Sequence, residues 1–175
     1  MILFCYDGSA DAETAIDHVA KLMPGGDATV VTIWERYIDA ALASGPISLS
    51  VAYDDGGQID VATQQRAAQT ATEGAQRATD AGLVAQWRVA SRNGDVAHAI
   101  LEAAADVDAD VVVCGTRGRG GVKSFLLGSV SHGLVHNADR AVLVVPSSAL
   151  AAKRRSRTRQ ATADGKVAVA TATEA

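Results

Sequence analysis

At 175 residues the chain has room for one domain with a sizeable buried core. Hydrophobic residues at 48% suit such a core, and aromatics at 4% leave it to be built from Val, Ile, Leu and Ala. A formal charge of −4 argues against a nucleic-acid surface spread over the whole molecule, and two cysteines are too few for a disulfide framework.

The average charge conceals an asymmetry. Beyond Pro146 stand six basic side chains (Lys153, Arg154, Arg155, Arg157, Arg159 and Lys166) against two acidic ones (Asp164 and Glu174). The tail therefore carries +4 and the body before it −8. No run reaches the roughly 18 apolar residues of a membrane-spanning helix, and no charged segment followed by an apolar one marks a leader. The expectation is a cytoplasmic protein, with no membrane partner and with both thiols reduced.

Taken in order, "MILFCY" is a short apolar run closed by "DGS", the mark of a buried strand. Ser9 is placed to cap the helix that follows, where Ala12, Ala15, Ile16, Val19, Ala20 and Met23 recur at helical spacing before "PGG". Ala28 to Trp34 is a second strand. Residues 36–58 show no clear period and read as a long loop. Residues 59–81, rich in Ala, Gln and Thr, read as a helix ended by Gly82. Leu83 to Ala90 is a third strand. Val96, Ala99, Ile100, Ala103, Ala104 and Val107 give an amphipathic helix. "DVVVCG" is a fourth strand, a short helix runs from Ser129 to Asn137, and "AVLVVP" is a fifth strand. Residues 147–175, basic and Ala/Thr-rich, have little to bury and are expected to lack structure. That basic run reads as a solvated tail, with weak nucleic-acid contact as the sharper alternative.

Strands alternating with helices predict an α/β fold with a parallel sheet covered on both faces. After the fourth strand comes "GTRGRGGVKSFLLGSV", with five glycines, two arginines and a lysine. It is not a P-loop, because Lys123-Ser124 comes one residue late. It is not a dinucleotide turn either, because Lys123 stands where the third glycine belongs. What fits is Gly115-x2-Gly118-x9-Gly128-Ser129. Gly115 ends the strand, Gly118 permits a turn whose N–H groups can face an anion, and Gly128-Ser129 opens a helix whose positive end favours phosphate. Ser129 is expected to cap that helix or donate to a phosphate.

With "YDGS" at residues 6–9, "GDVAHAILEAA" at 94–104, "GTRGRGG" at 115–121 and "LLGSVSHGLVHNADRAVLVVP" at 126–146, the chain resembles the universal stress protein family, in its ATP-binding subclass. The resemblance covers residues 1–146, with 147–175 outside it. It implies a Rossmann-like, adenine nucleotide alpha hydrolase-like sheet of order 3-2-1-4-5 and an adenine nucleotide across the ends of strands 1 and 4. It also implies Asp7 at the ribose or a phosphate-bound Mg2+, Ile33 at adenine, and Cys114 and Gly115 beneath adenine and ribose. Arg117, Gly118, Gly128, Ser129 and Val130 fall at the phosphates. Cys5 departs from the proline common at its position, which alters the wall beside the base. The resemblance further implies homodimers through Ala141–Val145 and an unidentified regulatory partner.

Glu35 and Asp39 are the nearest acids that could position a water, and their placement is open. The expected function is therefore an ATP-binding stress-response regulator. A slow ATP hydrolase or phosphotransferase, and a scaffold that binds no nucleotide, are the alternatives. His132 and His136, at i, i+4, read as an exposed helix face; Cys5 and Cys114 end neighbouring strands and could approach each other.

Overall fold

The computed structural model describes residues 1–37, 39, 49–92, 94–119 and 127–163, of which 49–56 and 162–163 are described in backbone only. Five strands alternate with helices: β1 (Ile2–Cys5), α1 (Ala10–Leu22), β2 (Asp27–Glu35), α2 (Leu49–Asp80), β3 (Val84–Arg92), α3 (Val96–Asp106), β4 (Val111–Gly115), α4 (Ser129–Asn137), β5 (Ala141–Val145) and α5 (Ser148–Ala163). All pairings are parallel, and the order is β3-β2-β1-β4-β5. Leu3 on the central strand stands beside Thr29 of β2 and Val112 of β4.

The strands are apolar because helices cover both faces. On one face Phe4, Tyr6, Val30 and Val113 pack against Ala12, Ile16 and Val19 of α1 and Ala75 and Ala78 of α2. On the other, Leu3, Val31, Val112 and Cys114 pack against Ala97, Ile100 and Ala104 of α3 and Leu134 of α4. The small Ala faces let helices sit close to the sheet. Leu3, Phe4 and Ile16 are wholly buried, each worth roughly 1.5–3 kcal/mol in surface removed from water. Arg77 of α2 also holds α1, donating to both carboxylate oxygens of Asp17 at 2.9 and 2.7 Å.

Edge strand β3 departs from the continuous apolar pattern. Ala85 packs into the α1/α2 side, whereas Val84 is exposed and Gln86 and Arg88 turn to polar partners, the Thr29 hydroxyl and the Asp106 carboxylate. Helix α3 lies along this face and is met there by polar as well as apolar side chains, Arg88 at its last residue Asp106 and Ala90 in the shared cluster.

Two expectations need correction. Within the presumed loop at 36–58, helix α2 already begins at Leu49, although residues 38 and 40–48 lie outside the described residues. Gly56 and Gly57 each cost about 1 kcal/mol in a helix; propagation from the long Ala-rich segment after Ile59 offsets this. The tail likewise is helical over Ser148–Ala163. The Ser147 hydroxyl accepts from the Leu150 N–H, and Ala, Arg, Lys and Gln are strong helix formers. Its basic side chains are exposed, as expected of residues with nothing to bury. Among the described residues no helix is long and apolar enough to cross a membrane.

Candidate functional site

The chain winds to one side of β1 through β2 and β3, and to the other through β4 and β5. The chain leaves the carboxyl end of β1 for α1 on one face and that of β4 for α4 on the other, and the crevice between these connections is where open α/β sheets hold ligands. A cavity of about 720 Å3 occupies this place. Its walls divide by chemistry. Cys5, Val31, Ile33, Val96, Ile100 and Cys114 make an apolar half, while Asp7, Ser9, Arg117, Arg119, Ser129 and Ser131 line the rest.

Asp7 ties the polar half together. One carboxylate oxygen accepts the Ser9 N–H at 3.0 Å and the other the Arg119 N–H at 2.9 Å. A side chain at the end of β1 thus fixes the turn after β4. Ser9 is a genuine cap: its hydroxyl accepts the Ala12 N–H at 3.3 Å, which anchors the first turn of α1 beside the cavity. Thr32 supports the same region by donating to the Tyr6 carbonyl at 2.8 Å.

The glycines have more definite jobs than turn-making. A Cβ on Gly115 would lie 2.7 Å from Cβ and 2.9 Å from the backbone carbon of Asp11, so this glycine lets α1 rest directly on β4. A Cβ on Gly118 would lie 2.5 Å from the Asp7 carboxylate. The requirement at Gly118 is room for Asp7; its φ is not among the left-handed ones.

Ser129 is the first residue of α4, not its cap. Gly128 holds the cap position and has no side chain to offer, so no side chain closes the amino end of the helix. A helix start without a side-chain cap leaves its first N–H groups to water or an anion. The approach to it is pinned by the Thr116 carbonyl, which accepts the Gly128 N–H at 2.9 Å and the Ser131 hydroxyl at 3.1 Å. The Thr116 hydroxyl, wholly buried at the same turn, has no partner among the described residues.

The residues expected from sequence do converge: Asp7, Ile33, Cys114, Gly115, Arg117, Gly118, Gly128, Ser129 and Val130 all line the one cavity. Glu35 and Asp39 do not. Glu35 is held by Arg92 at the end of β3, and Asp39 by Arg36 at 2.9 Å. Asp7 is the sole carboxylate on the described lining. Sequence reasoning missed Val96 and Ile100, which bring the start of α3 under the apolar half. They carry only a helix-core signal, and nothing local distinguishes a core position from a cavity floor.

Both cysteines are free. Burial pushes the Cys114 thiol up to about 11, and it raises Cys5 as well, with neighbouring Cys114 and Asp7 adding to the effect. His132 and His136 are exposed, with rings stacked at 6.3 Å, and His18 and His98 also face solvent.

A parallel sheet of this order with its crevice between β1 and β4 defines a Rossmann-like α/β protein. The model of the universal stress protein family matches residues 1–146, and the chain belongs to that family. A Staphylococcus saprophyticus protein described as a universal stress protein is 47% identical over 47 residues, a stretch covering 27% of this chain and 28% of that relative. Universal stress protein UspA from Lactobacillus plantarum has the same fold, with TM-score 0.63 and 19% identity over 82% of this chain and 95% of that one. A universal stress protein solved in complex with cAMP gives 0.55 at 23% identity, over 84% and 97% of the two chains. A family protein from Arabidopsis thaliana solved with AMP bound gives 0.58 at 14%, over 85% and 92%.

Proposed function

We propose that the protein is an adenine-nucleotide-binding regulator of a cytoplasmic stress response, with ATP and Mg2+ as its physiological ligand. The observation that carries this reading is the divided cavity at the switch point, with an apolar slot on one side and the α4 start without a side-chain cap on the other. Its volume lies within the roughly 300–1,000 Å3 of small-ligand sites. The residues present fit the ligand. Ile33, Val96 and Ile100 offer a flat apolar bed for a base. Gly118 leaves room for the Asp7 carboxylate beside the phosphate region, and Arg117, Arg119 and the N–H groups of Ser129 and Val130 supply positive charge for phosphates. Asp7 keeps acceptor capacity on each oxygen for a ribose hydroxyl or a phosphate-bound cation. The solved relatives bound to cAMP and to AMP support the choice of adenine.

Binding rather than turnover is the function. Hydrolysis needs a positioned water and a group to orient it. Asp7 is the sole carboxylate on the described lining and already receives two N–H bonds. Phosphate release is expected to be slow, and nucleotide acts by changing shape or partners. Edge strand β5 pairs with β4 on one side. Pairing of its other edge, Ala141–Val145, with a second copy would make the homodimer; a scattering mass of one chain at micromolar concentration would contradict that.

The deciding experiment is to purify the chain without added nucleotide, identify what co-purifies, and titrate AMP, cAMP and ATP–Mg2+ by calorimetry. Gly118→Ala and Gly128→Ala should weaken binding, because the first methyl displaces the Asp7 carboxylate and the second crowds the Thr116 carbonyl, at 3.3 Å, beside the start of α4. Affinities equal to wild type in both variants would put the site elsewhere.

A further inference from the structure

Leu3 stands beside Val112 and Phe4 beside Val113, the last pair of the β1–β4 ladder, and Cys5 and Cys114 are the next residue on each strand. Both cysteines join the apolar cluster beneath α3 and α4, so they project from the same face of the sheet, and both line the cavity. Neighbouring strands lie about 4.7–4.9 Å apart, and side chains projecting in parallel keep roughly that spacing. A disulfide requires the sulfurs to close to about 2.05 Å and the Cβ atoms to converge to about 3.5–4.5 Å, which a parallel in-register pair resists. A sulfur–metal–sulfur bridge with bonds of about 2.3 Å spans about 4.6 Å and needs no such convergence.

The ligand set selects the ion. Among the described residues no group of three or more His, Cys, Asp or Glu could hold a metal. Structural zinc takes four ligands and magnesium or calcium six or more, mostly oxygens. Two soft sulfurs in an apolar pocket match a soft cation of low coordination number.

We propose that Cys5 and Cys114 form a two-coordinate site for a cuprous ion at the floor of the cavity. On binding, each S–H bond gives its proton to solvent and two sulfur–copper bonds form. The copper stays monovalent and no electron moves. The product carries one negative charge; Arg117, Arg119 and the positive end of α4 line the same cavity and outweigh the single Asp7 carboxylate there. The ion would lie where the base is expected, so copper and nucleotide exclude one another; this coupling alone rests on the nucleotide reading.

The test is an anaerobic titration of the full-length, reduced protein with Cu(I) against a chromogenic Cu(I) chelator. Wild type should capture one equivalent. Cys5→Ser and Cys114→Ala should each bind more than about 100-fold more weakly, since losing even an outer-shell partner of a metal ligand costs about 10–100-fold. X-ray absorption of the loaded protein should show two sulfur neighbours. Capture unchanged in Cys5→Ser, or a spectrum of nitrogen neighbours pointing to the His132/His136 pair, would overturn the assignment. Cys5 is only partly buried, so Cys5→Ser together with the spectrum decides the matter even if Cys114→Ala fails to fold. In a final arm, AMP should bind the copper-free protein and be excluded from the loaded one. Simultaneous occupancy would refute the shared floor. Failure of AMP to bind the copper-free protein would refute the nucleotide reading and leave the copper result standing.

Discussion

Gly115→Ala tests whether close packing of α1 on β4 positions the site. The added methyl meets the Asp11 Cβ at 2.7 Å, the Asp11 backbone carbon at 2.9 Å and the Ala12 nitrogen at 3.1 Å. Two of these are backbone atoms in the first turn of a helix, so relief requires moving the turn itself. Overpacking of this kind costs about 1–3 kcal/mol, which for a chain of this size lowers the melting temperature by about 2–12 °C. The contrasting substitution is Gly118→Ala, whose methyl meets an Asp7 carboxylate oxygen at 2.5 Å. That oxygen ends a rotatable side chain, so Asp7 can swing away at the cost of its bond to the Arg119 N–H, about 0.5–1.5 kcal/mol. Calorimetric melts of both variants and a nucleotide titration of each make the comparison. The first should lose more stability; the second should lose affinity with a smaller drop in melting temperature, about 1–6 °C. Gly115→Ala melting within 1 °C of wild type, or Gly118→Ala falling further than it, would refute the packing argument.

Further outcomes follow from the same geometry. Because burial raises Cys114 from 9.0 to about 11, its thiol stays protonated in the folded chain while the unfolded chain ionises. Its contribution is therefore whole below pH 9 and is lost as the pH climbs through about 11, on the order of 2–3 kcal/mol in all; urea melts at pH 8.5 and 10.5 should show about 1.5–2 kcal/mol of that loss, reduced in Cys114→Ala. Ser9→Ala removes the cap of α1 and should cost about 0.5–1 kcal/mol by the same melts, at the low end because the capping bond is 3.3 Å. Ending the chain after Ser147 removes a helix whose basic side chains are exposed, and should shift the melting temperature by less than about 2 °C; a larger loss would mean α5 packs on the body.

What the sequence disclosed depends on how local the cause was. The four apolar runs that became β1, β2, β4 and β5 were legible because burial on both faces leaves no polar alternation to confuse. Helix α4 was placed at Ser129–Asn137 with its correct ends, since "GS" before an apolar period is a local signal. The start of α2 was not legible, because Gly56 and Gly57 forbid it by propensity and only the cooperativity of a 32-residue helix carries it through. At the site, the convergence of Asp7 with the turn after β4 was expected only from the resemblance. The reason Gly118 must be glycine was hidden, since its neighbour in space is 111 positions away in the chain. Val96 and Ile100 were hidden for a related reason: a helix pattern tells which side chains are buried, not whether a protein atom or a ligand covers them.

The Thr116 carbonyl, receiving both the Gly128 N–H and the Ser131 hydroxyl, works as a clasp that fastens the two ends of residues 117–127 at a single atom. Strand β4 and the start of α4 are thereby yoked through one oxygen, so a shift of the helix on meeting an anion would be handed directly to the end of the strand, and from there into the middle of the sheet.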